Sequence, residues 1–273
     1  MSDGAWIAIL SLAAGLVGTG AGGVAGVFLG ASGRNMLGTV LGFAGGVMVG
    51  VTVFEMLPES VAGFSGICGS YGVFAAAGAA AAGALAVFLT EKITERISFG
   101  KNVSGRRVST AVICAALAES GERDGAGARR LLRTGAVMAA AITLHNFPEG
   151  MAIGAAGSAE LAGGVTVAIM IALHNIPEGM AVAAPLAGGG AGALRAVLIS
   201  AAAGAATVPG ALLGLAVGSL SAAASAICIA VAAGAMLYVS FAEVFREAYA
   251  ETGCAPAVSA LTGIAAAMMF SFI

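Results

Sequence analysis

The chain contains two histidines, and both stand in one repeated phrase. His145-Asn146-Phe147-Pro148-Glu149-Gly150 returns 29 residues later as His174-Asn175-Ile176-Pro177-Glu178-Gly179. On a helix, His and Glu four residues apart share one face, and the Asn stands three residues before the Glu. Each copy therefore offers an imidazole, an amide oxygen and a carboxylate toward one point. Nitrogen and oxygen ligands without a thiolate suit Zn²⁺, Fe²⁺, Mn²⁺ or Co²⁺ better than Cu⁺ or Ca²⁺. Hydrolysis by a metal-activated water would also need a separate base. The chain has no HExxH, and no Ser or Cys stands beside the histidines as a nucleophile.

Both phrases lie within long apolar stretches. Glu149 precedes the short turn near 158–163 by about 11 residues, and His174 follows it by about 11. At about 1.5 Å per residue both sit roughly 16 Å deep, near the middle of about 30 Å of hydrocarbon. An ionisable side chain there costs about 2.5–3.5 kcal/mol on insertion scales. One divalent cation offsets two carboxylates and accepts the imidazoles and amides as well. Pro148 and Pro177 cannot donate to the carbonyls of Leu144 and Leu173. A freed carbonyl at this depth is tolerated where it faces protein or a wet cavity. An interhelical hydrogen-bond network and a closed structural metal site use the same residues; the doubling of the phrase weighs against the first.

The surrounding sequence must supply helices in lipid. Of 273 residues, 59% are hydrophobic and 10% charged, against about 25% charged in a soluble domain. The 43 glycines keep no three-residue period, which excludes collagen. A mean hydropathy of +1.01 excludes disorder. Eight apolar stretches, roughly 5–31, 36–57, 72–90, 134–157, 162–186, 193–217, 222–242 and 254–273, are each about long enough to cross a bilayer. The fold class is therefore an all-α polytopic membrane protein with eight transmembrane helices, one domain over 1–273. Its start carries Asp3 and no basic residue, unlike a cleavable signal, so the first span is expected to stay.

The twelve basic residues test that count. Arg34 falls between spans one and two, and Lys92, Arg96, Lys101, Arg106, Arg107, Arg123, Arg129, Arg130 and Arg133 between three and four. Arg195 falls between five and six, and Arg246 between seven and eight. Eight alternating spans put all twelve on one face, which the positive-inside rule makes cytoplasmic, with both termini outside. The basic loop 91–133 controls topology and meets anionic lipid, and residues 120–130 read as a flexible tether. Only Cys68 of the four cysteines faces outward, so a structural disulfide is not expected.

These features resemble the ZIP (zinc/iron permease) transporters, most closely their small prokaryotic branch. The doubled phrase, the eight spans and the long loop after the third carry the resemblance over the whole chain. It implies a binuclear site on the fourth and fifth helices, lined by His145, Asn146, Glu149, His174, Asn175 and Glu178. It adds Met48 in span two as a soft ligand at the edge, where packing is the commoner role for a methionine. One departure stands out. Where that branch often has Glu-Pro in span six, this chain has Val208-Pro209 preceded by Thr207. The second metal position is then expected to be weaker, absent or used differently. The resemblance also implies spans one, four, five and six moving against two, three, seven and eight, and a homodimer through the second group.

A second repeat supports an inverted arrangement. Gly46-Val47-Met48 through Glu55 and Glu59 in span two matches Gly234-Ala235-Met236 through Glu243 and Glu247 in span seven, 188 residues on. The two spans run in opposite directions, the mark of a 3+2+3 inverted repeat around spans four and five, with substrate held at the midplane. Glu55 and Glu59 then stand near the outer mouth, and Glu243 and Glu247 near the inner one. Gly18-Thr19-Gly20-Ala21-Gly22-Gly23 fits GxGxxG, but no strand precedes it, so close helix packing explains it better than a nucleotide. Gly/Ala faces are expected to let one helix group slide past the other.

The reading is a transporter and not an enzyme, in the cell (inner) membrane. It carries Zn²⁺, with Fe²⁺, Mn²⁺ and Cd²⁺ as alternatives, toward the cytoplasm by alternating access. It binds no prosthetic group and no nucleic acid. The rival readings are a cation channel with a metal-binding gate and, more remotely, an intramembrane metal-dependent hydrolase.

Overall fold

Glycine and alanine leave helix backbones nearly bare, and in lipid such helices associate by van der Waals contact and interhelical hydrogen bonds. The structure is a computed structural model that describes residues 3–30, 32–99, 125–217 and 222–270. Among the described residues there is no strand, and these residues form eight helical rods. Rod α1 (3–30) contains a π turn at Ala13–Val17, and α2 (34–68) one at Thr52–Met56. Rods α3 (Gly72–Phe99), α4 (Gly125–Ala159) and α5 (Leu161–Gly188) follow. Rod α6 (193–217) is interrupted after Gly204, α7 (222–252) carries a π turn at Ser240–Phe245, and α8 spans Pro256–Phe270.

Among the described residues, five stretches are long and apolar enough to cross a membrane: Gly4–Gly30, Arg34–Leu89, Leu161–Gly188, Ala193–Ala216 and Ala226–Thr252. The second has 56 residues and is folded back at Gly69, whose φ of 60° ends α2. Rod α4 begins among Arg129, Arg130 and Arg133 and is not one of the five, and α8 is apolar but shorter.

Several rods overrun their apolar windows. Rod α7 continues past 242 to Thr252, and α4 starts at Gly125, so residues 125–130 are helical and not a tether. Hydropathy marks the hydrocarbon crossing, whereas hydrogen bonds and ion pairs carry a helix beyond it. The rest of the loop, 100–124, lies outside the described residues. Rods α4 and α5 also stay helical through Pro148 and Pro177.

Four glycine pairs set the packing. A Cβ on Gly22 would overlap the carbonyl oxygen of Ile176, and one on Gly179 that of Thr19. The same reciprocal relation joins Gly46 (to Ala260) with Gly263 (to Phe43), Gly83 (to Val231) with Gly234 (to Ala80), and Gly150 (to Thr207) with Gly210 (to Phe147). In every case the carbonyl lies three residues before the partner glycine. Successive contacts advance in the same sense along α1 and α5 (Gly18, Gly22 and Gly26 meet Ala172, Ile176 and Met180), α2 and α8 (Gly42 and Gly46 meet Pro256 and Ala260) and α4 and α6 (Gly150 and Gly154 meet Thr207 and Ala211), so these helices run parallel. The pairs are α1–α5, α2–α8, α3–α7 and α4–α6.

Each glycine that brings two backbones this close does so inside one of two groups, α1/α4/α5/α6 or α2/α3/α7/α8. The seam between the groups is filled by side chains, among them Leu41, Val47 and Met48 of α2, Val182 and Leu186 of α5, Met138 and Ile142 of α4, and Met236 and Val239 of α7. This corrects the expectation of smooth Gly/Ala sliding faces. The glycines lock each group internally, because they permit backbone contact that a larger residue would prevent.

Rods α2 and α7 match in detail. The Thr52 hydroxyl donates to the Met48 carbonyl at 2.7 Å, and the Ser240 hydroxyl to the Met236 carbonyl at 2.8 Å. Both hydroxyls open a π turn, and both turns contain a glutamate, Glu55 or Glu243. A hydroxyl that bonds back to the fourth preceding carbonyl loosens the local ladder and accommodates the extra residue of a π turn.

Candidate metal centre

The two histidine phrases sit on α4 and α5, a hairpin closed by Glu160, which alone separates Ala159 from Leu161 and takes an extended backbone. So tight a turn puts residues equally far from it at one level. His145, Glu149, His174 and Glu178 each bring a ligand atom to within 4.8 Å of the others. His174 Nε2 lies 2.7 Å from Glu149 Oε1, and His145 Nε2 lies 2.8 Å from the same oxygen. The latter contact lacks hydrogen-bond direction, and neither nitrogen of His145 has a hydrogen-bond partner. His145 Nε2 is 3.5 Å from Glu178 Oε1.

Burial makes this arrangement costly without a cation. The Glu178 side chain is 1% exposed, and neither carboxylate oxygen receives a hydrogen bond. Glu149 Oε2 is likewise buried without a donor. Buried carboxylates are ordinarily paired or bound to metal, because removing the charge from water costs several kcal/mol. Two imidazoles and two carboxylates form the nitrogen–oxygen set that a divalent transition metal accepts.

The asparagines of the phrase reach across to neighbouring rods. Asn146 Nδ2 donates to the Ala203 carbonyl of α6 at 3.2 Å, and Asn175 Nδ2 to the Ala14 carbonyl of α1 at 3.0 Å. Both Oδ1 atoms are buried and accept nothing from the protein, so each amide is anchored by its nitrogen with its oxygen lone pairs unused. Met48 is 2% exposed in the core along the seam. Glu55 lies in the α2 π turn. Val208 stands in α6 beside Thr207, whose hydroxyl oxygen lies 2.9 Å from the carbonyl oxygens of both Ser11 and Gly204, either of which can accept its one proton.

Sequence reasoning missed the last residue of each phrase. Gly150 and Gly179 are the points where α4 meets α6 and α5 meets α1. The signal was available in the phrase itself, since a glycine directly after a helical glutamate puts bare backbone one position from the candidate ligand. It also missed a polar cluster at the far end of α4, where Arg130 Nε donates to Glu247 at 2.7 Å and Arg130 Nη2 to Glu251 at 2.6 Å.

A family model described as ZIP Zinc transporter matches residues 4–271. The Zinc transporter ZupT of Corynebacterium efficiens is 36% identical over 149 residues, which are 54% of this chain and 51% of that relative. The chain thus spans about half the length of the curated relative it matches. The family match runs through all eight rods and takes in both histidine phrases. With its long apolar helices, the chain is a multi-pass membrane protein, and it belongs to the ZIP zinc transporter family.

Proposed function

We propose that this chain carries Zn²⁺ across the cell membrane toward the cytoplasm by alternating access. His145, Glu149, His174 and Glu178 are the core ligands, Asn146 and Asn175 assist through their unused oxygens, and Met48 stands at the edge. The observation that carries the reading is the Glu178 carboxylate, buried on a helix among two imidazoles and a second carboxylate with no donor on either oxygen.

The proposed topology has eight crossings with both termini outside, as an inverted 3+2+3 repeat. Its support is threefold. Arg34 and Arg130, from different connections, both pair with Glu251, and Arg246 is on the same rod, so three basic residues gather at one end of the molecule. The α2 and α7 π turns lie 188 residues apart, and so do Gly22 and Gly210, and Gly46 and Gly234. A seam of side chains between two internally locked groups is where rigid groups would move. The same reading has two copies associate through the α2/α3/α7/α8 group.

Zinc uptake by proteoliposomes carrying the protein should exceed that of empty vesicles, and His174→Ala should return it to the empty-vesicle level. Equal uptake by wild type and His174→Ala would overturn the proposal. Competition by Fe²⁺, Mn²⁺ and Cd²⁺ in the same assay ranks the metals, and an imposed pH gradient reads the coupling. Val208 supplies no oxygen to a second ion, so calorimetric titration in detergent should give one zinc per chain; two sites of comparable affinity would contradict this.

A further inference from the structure

We propose that Arg130 latches the cytoplasmic side of the transporter shut by pairing across the seam with Glu247 and Glu251. The inference rests on the orientation and movement proposed above.

Rod α4 carries one stripe at four-residue spacing: Arg130, Thr134, Met138 and Ile142, followed by His145. His145 and Thr134 are 11 residues apart, about 16 Å along the axis. Met138 and Ile142 fill that interval and are 0% and 1% exposed, so the centre is closed off by apolar side chains in this direction. Glu149 and His174, the members of the quartet nearer the Glu160 turn, are 10% exposed, against 3% for His145 and 1% for Glu178. The centre is thus shut toward the basic end, and its more exposed members lie on the side of the Glu160 turn.

At that end a chain of charges crosses the seam. Arg34 of α2 donates to Glu251 at 3.0 Å, and Arg130 of α4 binds both Glu251 and Glu247 of α7. Thr134 lies 3.4 Å from both Glu243 and Glu247, and Arg246 donates to Glu243 at 2.8 Å. Of Arg34, Arg130 and Arg246, Arg130 is the one that lies on the α1/α4/α5/α6 group. Its side chain is 44% exposed, whereas those of Glu247 and Glu251 are 1% and 6% exposed. The pair is therefore asymmetric. Removing Arg130 leaves a buried carboxylate at Glu247, and such a charge is relieved when the seam parts and admits water. A planar fork that reaches two carboxylates at once suits a latch better than an ammonium does.

The test places a single reporter, Met138→Cys, in protein whose Cys68, Cys114, Cys228 and Cys254 are replaced by Ala. Labelling uses a membrane-impermeant maleimide applied from the Arg130 side of reconstituted vesicles. Arg130→Ala should raise the labelling rate about fivefold or more, and Arg130→Lys less, the size expected where a buried partner depends on the pair. A second reporter, Cys68 retained alone at the opposite end of α2 and labelled by the same maleimide applied from its own side, should label no faster in Arg130→Ala. Unchanged labelling at 138, or an equal rise at both reporters, would overturn the latch. If Arg130→Ala does not fold, Glu251→Gln is read by the same criteria. The assay needs no transport, so wild-type vesicles that take up no zinc would overturn the transport reading alone.

Discussion

Replacing Glu178 with Gln is expected to abolish zinc uptake while raising the melting temperature of the metal-free protein. The two effects come from one fact. Glu178 is 1% exposed, and neither of its oxygens receives a hydrogen bond; its near neighbour is His145 Nε2 at 3.5 Å. Without a cation the carboxylate is a desolvated charge, which destabilises the fold by about 1–3 kcal/mol or more. Glutamine keeps the volume and removes the charge, so the metal-free variant should melt later. With zinc the sign reverses. The amide cannot neutralise the ion, and the loss of one of two carboxylates should weaken binding at least about a hundredfold, or about 2.7 kcal/mol. The checks are thermal unfolding in detergent with chelator and with zinc, and uptake by proteoliposomes. Wild type should gain stability with zinc by mass action, and Glu178→Gln should not. A variant that melts earlier than wild type in chelator, or that keeps the zinc-induced shift, would show that the carboxylate has a structural partner and is not a ligand.

The centre was legible because its determinants are local. His and Glu at four-residue spacing share a face on any helix, and a turn as short as Ala159-Glu160-Leu161 brings two such faces to one depth by counting alone. The same counting could not say what the asparagines touch, since Ala203 and Ala14 lie far along the chain from Asn146 and Asn175. Nor could it find the Arg130–Glu247 pair, 117 residues apart, within a sequence where every basic residue fits a topology rule. Helix ends were misread for a different reason. The windows that end near 57 and 242 follow the hydrocarbon, whereas α2 and α7 run on to Cys68 and Thr252, each stopped by a glycine of positive φ, Gly69 at 60° and Gly253 at 64°. Among 43 glycines, composition alone announces close packing without saying which pairs meet. The choice between locking and sliding is made by partners, and partners are a property of the folded chain.

That choice gives the second large effect. Gly179→Ala should destabilise the protein and impair uptake, and Gly179→Val should prevent folding, whereas Gly78→Ala should be neutral or stabilising. A Cβ at 179 would overlap the Thr19 carbonyl oxygen and lie 2.9 Å from the Gly23 amide nitrogen, so α1 and α5 must part. Backbone on both sides leaves no flexible side chain to yield, and overpacking of this kind costs about 1–3 kcal/mol for one methyl and more for a branched residue. Separation also breaks contacts that recur along the interface, where Gly18, Gly26 and Gly30 of α1 face Ala172, Met180 and Ala184 of α5. Since Gly179 follows Glu178, the displacement moves a proposed ligand. At Gly78 no atom lies within 4 Å of the added methyl, so the lower chain entropy of Ala gains up to about 1 kcal/mol in a helix interior. The same substitution therefore changes sign between two glycines of one protein. Melting curves of the two Ala variants beside wild type decide it: a Gly179→Ala protein as stable as Gly78→Ala would mean that α1 and α5 are not in backbone contact.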